Sequence, residues 1–188
     1  MRLQSRIFLG RLFVFGLCSQ LGRSQNAGTA IYFQRDDSNQ QWCGYTSESD
    51  HKAKVKQTRP DLEGTATYLN NRLSKLVVFR VGSESGDWSV EDEYTLDKNG
   101  NIQALKRKIV SFPDDVIEER YFLIRDGKAI RQKTTGHTVR SNEVTKERLK
   151  EEYEPIVRKA TAFPFWSFLR YHHTAILSTG QTCASTGK

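Results

Sequence analysis

Between residues 88 and 96 the chain alternates apolar and polar side chains, which is the period of a strand that buries one face. Trp88, Val90, Tyr94 and Leu96 form the apolar face of this predicted strand. Asp92 is the one charge on that face, and a charge is costly to bury without compensation. The pattern therefore marks Asp92 as a candidate functional group.

Two turn signals divide the segment that follows into hairpins. Asn99-Gly100 and Asp126-Gly127 favour two-residue turns with positive φ, and alternating segments flank both. The predicted strands span 88–96, 102–110, 117–125 and 128–139. Together they form a predicted four-stranded antiparallel meander.

Shorter apolar segments upstream predict further strands, which are separated by turn-forming residues. These predicted strands span 30–34, 41–46, 52–57, 65–69 and 76–81. In the last of them four consecutive residues, from Leu76 to Phe79, are apolar. A strand with two apolar faces is covered on both sides, so we expect it to be central in its sheet.

A helix is predicted towards the C-terminus, beginning near Asn142 with Ser141 as its N-cap and a kink at Pro155. Its apolar face is formed by Leu149, Tyr153, Ile156 and Ala160. The sequence thus predicts an α+β fold: a mainly antiparallel β meander, twisted or curved into a half-barrel, with a C-terminal amphipathic helix packed on one face. This order of elements resembles that of bacterial periplasmic carriers of the lipoprotein-carrier type.

The N-terminus has the three-part pattern of a secretory signal. Residues 1–6 are short and basic, residues 7–17 are almost all apolar, and the small residues Gly22 and Ser24 follow. The apolar segment is shorter than the ~20 residues of a membrane span. We therefore expect residues 1–24 to be a signal peptide.

The mature part, residues 25–188, is expected to be a single β-rich domain without a transmembrane span, located in the periplasm or outside the cell. The whole chain has a formal net charge of +7, and removing the four arginines of the signal leaves +3. A domain this close to neutral lacks the positive charge that nucleic-acid binding requires. We therefore expect no nucleic-acid partner.

Three cysteines occur, and Cys18 would leave with the signal peptide. Leu17, in the place of a small residue, argues against acylation of Cys18. In an oxidising compartment Cys43 and Cys183 would then form one disulfide, closing a loop of about 140 residues; in the cytosol they would be free thiols. The sequence has no CxxC motif and no Cys/His pair at metal spacing, so neither a metal site nor a cofactor is predicted.

Residues 163–171 concentrate large aromatic side chains after the predicted helix. In one interpretation they fill the core between helix and sheet, and in the other they line a site for an apolar ligand. Under the second interpretation the candidate ligand-binding residues are Trp88, Asp92, Tyr94, Phe165, Trp166 and Arg170. The side chains of the adjacent His172 and His173 diverge in any regular element, which argues against a shared metal.

The sequence carries no catalytic or nucleotide-binding motif that names a reaction. The leading hypothesis is an exported, non-catalytic protein that binds an apolar small molecule or a cell-envelope component. The alternative is a small secreted hydrolase in which Asp92 pairs with His51 or His137. An apolar cavity would favour the first hypothesis, and a cleft joining Asp92 to one of these histidines would favour the second.

Overall fold

The computed structural model describes residues 28–81, 87–149, 156–157 and 159–185. The predicted signal peptide lies outside these residues. Nine strands form one antiparallel sheet: β1 Thr29–Asp36, β2 Gln41–Tyr45, β3 Leu62–Leu69, β4 Arg72–Val81, β5 Trp88–Leu96, β6 Ile102–Ser111, β7 Val116–Arg125, β8 Lys128–Thr138 and β9 Gln181–Ser185. The two α-helices are α1 Glu48–Thr58 and α2 Trp166–Thr179. Their arrangement confirms the predicted α+β fold with a C-terminal helix packed on an antiparallel sheet.

The strand order is β8-β7-β6-β5-β4-β3-β1-β2-β9, so the sheet is open and its edges are β8 and β9. The meander from β5 to β8 is confirmed, and β4 lies in the middle of the sheet as its two apolar faces predict. Leu76 and Val78 are buried on one face of β4, while Val77 and Phe79 are partly buried on the other.

The two predicted turns differ in length. Asp126 and Gly127 both have positive φ (51° and 68°) between paired Arg125 and Lys128, which confirms a two-residue turn. At the first turn the prediction is wrong, because the loop spans 97–101 and only its glycine has positive φ. The reason is Asp97, whose carboxylate accepts hydrogen bonds from two backbone N–H groups within the loop (2.8 and 2.9 Å) and so stabilises a longer turn.

Replacing Gly127 by Val is expected to lower the free energy of unfolding by roughly 1–3 kcal/mol, because a β-branched residue resists positive φ. A Cβ at this position would meet no atom within 4 Å, so the loss would come from backbone conformation alone. Gly127→Asn is the matched control. Because Asn tolerates this conformation, this change should lower the free energy of unfolding much less than Gly127→Val. Denaturant unfolding of both variants measures the difference; equal midpoints would contradict the turn geometry.

Residues 52–57, predicted as a strand, are part of α1, so this prediction is wrong. Lysines at alternate positions, 52, 54 and 56, imitate the period of a strand. The N-cap favours a helix over a strand here: the Ser47 side chain accepts a hydrogen bond from the N–H of Asp50 (3.2 Å). The helix ends at Arg59, which has left-handed φ and precedes Pro60.

The predicted helix that begins near Asn142 is also wrong within the described residues, since 142–149 are not helical. Asn142 has left-handed φ, and the hydroxyl of Ser141 hydrogen-bonds that of Thr138 (2.6 Å) and does not cap a helix. Val144 forms a β-bridge with His137, so the chain runs back along β8. The remainder of the predicted helix lies largely outside the described residues, and Ala160 begins a short 3-10 turn.

The C-terminal helix is α2, which forms from the aromatic segment and residues after it. Phe168, Leu169 and Ile176 are its buried residues, at the spacing of one helical face. Gly44 of β2 lets α2 approach the sheet closely, since a Cβ at this position would lie 2.5 Å from the Cδ1 atom of Ile176. We call the face of the sheet that α2 covers the inner face and the opposite face, which α1 covers, the outer face.

The core beneath α2 is aromatic. Phe165 is fully buried, with its ring centroid 4.5 Å from that of Phe33, 5.0 Å from Phe163 and 5.5 Å from Trp42. Phe163 extends this cluster to Tyr94 of β5 through an edge-to-face contact. Phe163, Phe165 and Phe168 of the aromatic segment are therefore part of the core, whereas Trp166 is partly buried and Tyr171 is exposed.

The predicted disulfide between Cys43 and Cys183 is confirmed. The two residues lie directly opposite each other in the register of β2 and β9. The bond fastens the edge strand β9 to the sheet and is compatible with an oxidising compartment.

Candidate functional site

Five charged side chains lie on the inner face where strands β4 to β7 cross it. Alternation places them on the same face as the buried apolar residues Val90 and Ile109. The register brings them together, since Asp92 pairs with Arg107 and Arg107 pairs with Arg120 on the next strand. We call this group the inner ionic cluster; its members are Arg80, Asp92, Arg107, Glu118 and Arg120.

Asp92 is the acceptor at the centre of the cluster. The guanidinium of Arg107 donates two hydrogen bonds to it, from Nε to Oδ1 and from Nη2 to Oδ2, both 2.7 Å long. The hydroxyl of Tyr94 donates a third to Oδ2 at 2.9 Å. Burial and the Asp92 carboxylate raise the pKa of Tyr94, so its hydroxyl keeps the proton that it donates. Asp92 thus has the partners that a buried carboxylate requires.

Glu118 and Arg120 form the second part of the cluster on β7. Nε of Arg120 donates to Oε1 of Glu118, and both side chains are at least 97% buried. Both also bind the backbone of Leu149: its N–H donates to Glu118 (2.9 Å), and its carbonyl accepts from Nη2 of Arg120 (3.1 Å). This part of the cluster therefore anchors the segment after β8 to the inner face.

Arg80 differs from the other members in exposure and bonding. Its Nη1 lies 3.6 Å from Oδ2 of Asp92, which is an ion-pair distance but too long for a hydrogen bond. That nitrogen is buried and has no hydrogen-bond acceptor among the described residues. The side chain is 15% exposed, against 3% or less for the other four. Arg80 is thus the most exposed member of the cluster.

No protein-family model, curated protein or solved structure matches this chain. Its function is therefore inferred from its own geometry. Within the described ranges, no helix is long and apolar enough to cross a membrane. Over the same residues, no three His, Cys, Asp or Glu side chains are grouped as a metal site would require.

The structure divides the predicted ligand-binding residues among three places. Asp92 and Tyr94 are hydrogen-bonded to each other in the inner ionic cluster, whereas Phe165 is enclosed in the aromatic core. Trp166 and Arg170 line a separate cleft of about 170 Å3 beside Tyr68, Leu73, Leu169 and His173. This volume is small against the roughly 300–1,000 Å3 of a typical small-molecule site.

Trp88 lies at the beginning of β5, on the inner face by its alternation with Val90. Val90 is directly opposite Arg80 in the register of β4 and β5. Trp88 is therefore a diagonal neighbour of Arg80, the least buried member of the cluster.

The structure does not bring Asp92 together with His51 or His137. His137 pairs with Ile117, one position from Glu118 and hence on the outer face. His51 lies on α1, with its ring 5.7 Å from that of Tyr32 on the outer side of β1. Asp92 is on the inner face, so the sheet itself separates it from both histidines.

Sequence reasoning found Asp92 but missed its partners. The same signal was present in the next two strands of the meander, because Arg107 interrupts the apolar face of β6 between Leu105 and Ile109. Glu118 and Arg120 interrupt that of β7 in the same way. Charges on the apolar faces of three adjacent strands of a meander could have been identified together as one buried network.

Proposed function

We propose that this protein is an exported, non-catalytic binding protein whose inner face takes an amphipathic ligand with an anionic head group. The head group binds Arg80, and the apolar part of the ligand lies along the inner face beside it. The observation that supports the proposal is the buried Nη1 of Arg80, which has no hydrogen-bond acceptor among the described residues.

The bonding of Asp92 favours an anionic partner for Arg80. Asp92 already accepts three hydrogen bonds from Arg107 and Tyr94, so it offers little to Arg80. A buried donor without an acceptor is costly, and an anionic oxygen would remove that cost through a charge-assisted hydrogen bond.

The surroundings of Arg80 favour an apolar body attached to that anion. In the register its direct neighbours on the inner face are Leu62 of β3 and Val90 of β5. Trp88 is the diagonal neighbour beyond Val90. A carboxylate joined to a hydrocarbon chain or ring matches one cation surrounded by apolar side chains.

Export is the part of the proposal that rests on the N-terminal pattern and the disulfide. The Cys43–Cys183 bond is compatible with an oxidising compartment, where a binding protein would meet envelope or extracellular ligands.

The test is titration of the purified, delipidated protein with a fluorescent long-chain fatty acid and with its methyl ester. We expect saturable binding of the acid and weaker binding of the ester, which lacks the charge. Arg80→Met should weaken binding of the acid at least about tenfold, because it removes a charge-assisted hydrogen bond. Arg72→Met, an exposed change at the other end of β4, is the matched control and should leave binding unchanged.

Stability measurements separate this role from a structural one. Because Nη1 of Arg80 is a buried donor without an acceptor among the described residues, Arg80→Met should not lower the free energy of unfolding by more than about 1 kcal/mol. Absence of saturable binding, or equal binding of acid and ester, would contradict the proposal.

A further inference from the structure

A second candidate site lies on the outer face, in a groove of about 410 Å3 between α1 and strands β1, β3, β4 and β5. The residues that carry the argument are Tyr32, His51, Glu63, Phe79 and Glu91. We call this the outer groove. It lies on the opposite side of the sheet from the inner ionic cluster and is independent of the function proposed there.

The register places an aromatic ring between two carboxylates in the outer groove. Glu63 on β3 pairs directly with Phe79 on β4, and Phe79 pairs directly with Glu91 on β5. Directly opposed residues share a face of the sheet, with Cβ atoms about 5 Å apart. The two acidic side chains therefore flank the ring of Phe79.

Glu63 is a half-buried carboxylate without a neutralising cation. Its side chain is 23% exposed, and no described Lys or Arg lies within ion-pair distance of it. Burial raises the pKa of Glu63. Asp92 on the inner face, in contrast, has a bidentate Arg107.

His51 does not supply the missing charge. Its Nε2 faces Oε2 of Glu63 at 3.4 Å, is buried, and has no hydrogen-bond partner among the described residues. Burial lowers the pKa of His51, which disfavours a positive charge on the ring. The ring therefore supplies little positive charge to Glu63.

The basic side chains of the groove leave this site negative. Lys52 forms an ion pair with Glu48 (2.5 Å), so these two charges cancel. Lys56 is the other lysine of α1 that lines the groove. Among the lining residues three glutamates, 48, 63 and 91, stand against these two lysines, which leaves one negative charge; Lys108, directly opposite Glu91 on β6, does not line the groove.

We propose that the outer groove binds a small organic ammonium ion, seated over the ring of Phe79 between the carboxylates of Glu63 and Glu91. The ammonium group would donate to the two carboxylates, and its charge would be attracted to the faces of Phe79 and Tyr32. The His51 ring lies beside this seat, with Nε2 3.4 Å from Oε2 of Glu63. The volume of the groove suits a molecule of the size of an arylalkylamine.

The test is calorimetric titration of the full protein at neutral pH with phenethylammonium and with 2-phenylethanol, a neutral molecule of the same shape. We expect saturable binding of the ammonium ion and at least about tenfold weaker binding of the alcohol. Glu63→Gln should weaken ammonium binding at least about tenfold, and Glu91→Gln several-fold. Resonances of the His51 ring in NMR spectra should shift on titration, which locates the ligand.

Glu93→Gln is the matched control. Glu93 lies on the same strand and face as Glu91, but it pairs with Lys75 (2.7 Å) and does not line the groove. Its replacement should leave binding unchanged. Equal affinity for the alcohol, an unaltered affinity in a folded Glu63→Gln variant, or no saturation with phenethylammonium would overturn the proposal. If Glu63→Gln does not fold, the neutral analogue and Glu91→Gln decide in its place.

Discussion

A variant in which Cys43 and Cys183 are both replaced by alanine is expected to lose about 4–5 kcal/mol of unfolding free energy. The disulfide closes a loop with a sequence separation of 140 residues, and in the chain-entropy model a loop of this size restricts the unfolded chain by that amount. At roughly 2–4 °C per kcal/mol for a chain of this size, the midpoint of thermal unfolding should fall by roughly 8–20 °C.

Denaturant unfolding of the oxidised protein, the reduced protein and the double variant measures this effect. Reduction of the wild-type protein should reproduce the loss seen in the double variant. Gln181→Ala is a suitable control, because Gln181 is an exposed residue of the same edge strand. A loss below about 1 kcal/mol in the double variant would show that the bond contributes little to stability.

Replacing Asp92 by alanine is expected to destabilise the protein by about 3–5 kcal/mol. The change would remove the bidentate acceptor of Arg107, whose side chain is 1% exposed, and breaking a buried pair on one side leaves a charge uncompensated. It would also take the acceptor from the buried hydroxyl of Tyr94. Denaturant unfolding measures the loss.

Two comparisons show whether burial is the cause. Glu93→Ala, which breaks the exposed pair with Lys75 on the same strand, should cost less than about 1 kcal/mol. The double change Asp92→Leu with Arg107→Met removes both buried charges and should cost less than Asp92→Ala alone. Equal losses for Asp92→Ala and Glu93→Ala would contradict the assignment of Asp92 to a buried network.

Strands and their faces could be predicted from the sequence because alternation is a local property. The pattern from Trp88 to Leu96 identified β5, its buried face and the exceptional position of Asp92. The consecutive apolar residues of β4 identified a central strand without any knowledge of its neighbours.

Helices were predicted less well, because their ends depend on capping and on tertiary contacts. The capping signal of α1, Ser47 followed three residues later by Asp50, is readable in the sequence, but the alternating lysines obscured it. The segment after Asn142 has a helical apolar pattern, yet its first residues pair with β8 through Val144 and do not form a helix. Periodicity alone does not distinguish these outcomes.

The sequence pattern marks the buried charges of the inner ionic cluster, but it does not give the contacts within either candidate site. Arg80 lies on β4 and Asp92 on the adjacent β5, and the register of these two strands brings their side chains near each other. The outer groove requires Glu63, Phe79 and Glu91 to align across three strands and α1 to fold over them. Register of this kind is set by the whole sheet, so no local pattern contains it.

The position of β9 has a consequence for the order in which the molecule assembles. Strands β3 to β8 each pair with a neighbour in the chain, so this meander can form from short-range contacts as it is synthesised. The outer edge of β2 pairs with residues 181–185, which are synthesised last, and contacts between residues so far apart in the sequence form slowly. Until they form, the β2 edge and the Cys43 thiol are exposed together. During this interval, strand pairing or a disulfide between two copies of the chain is most favoured.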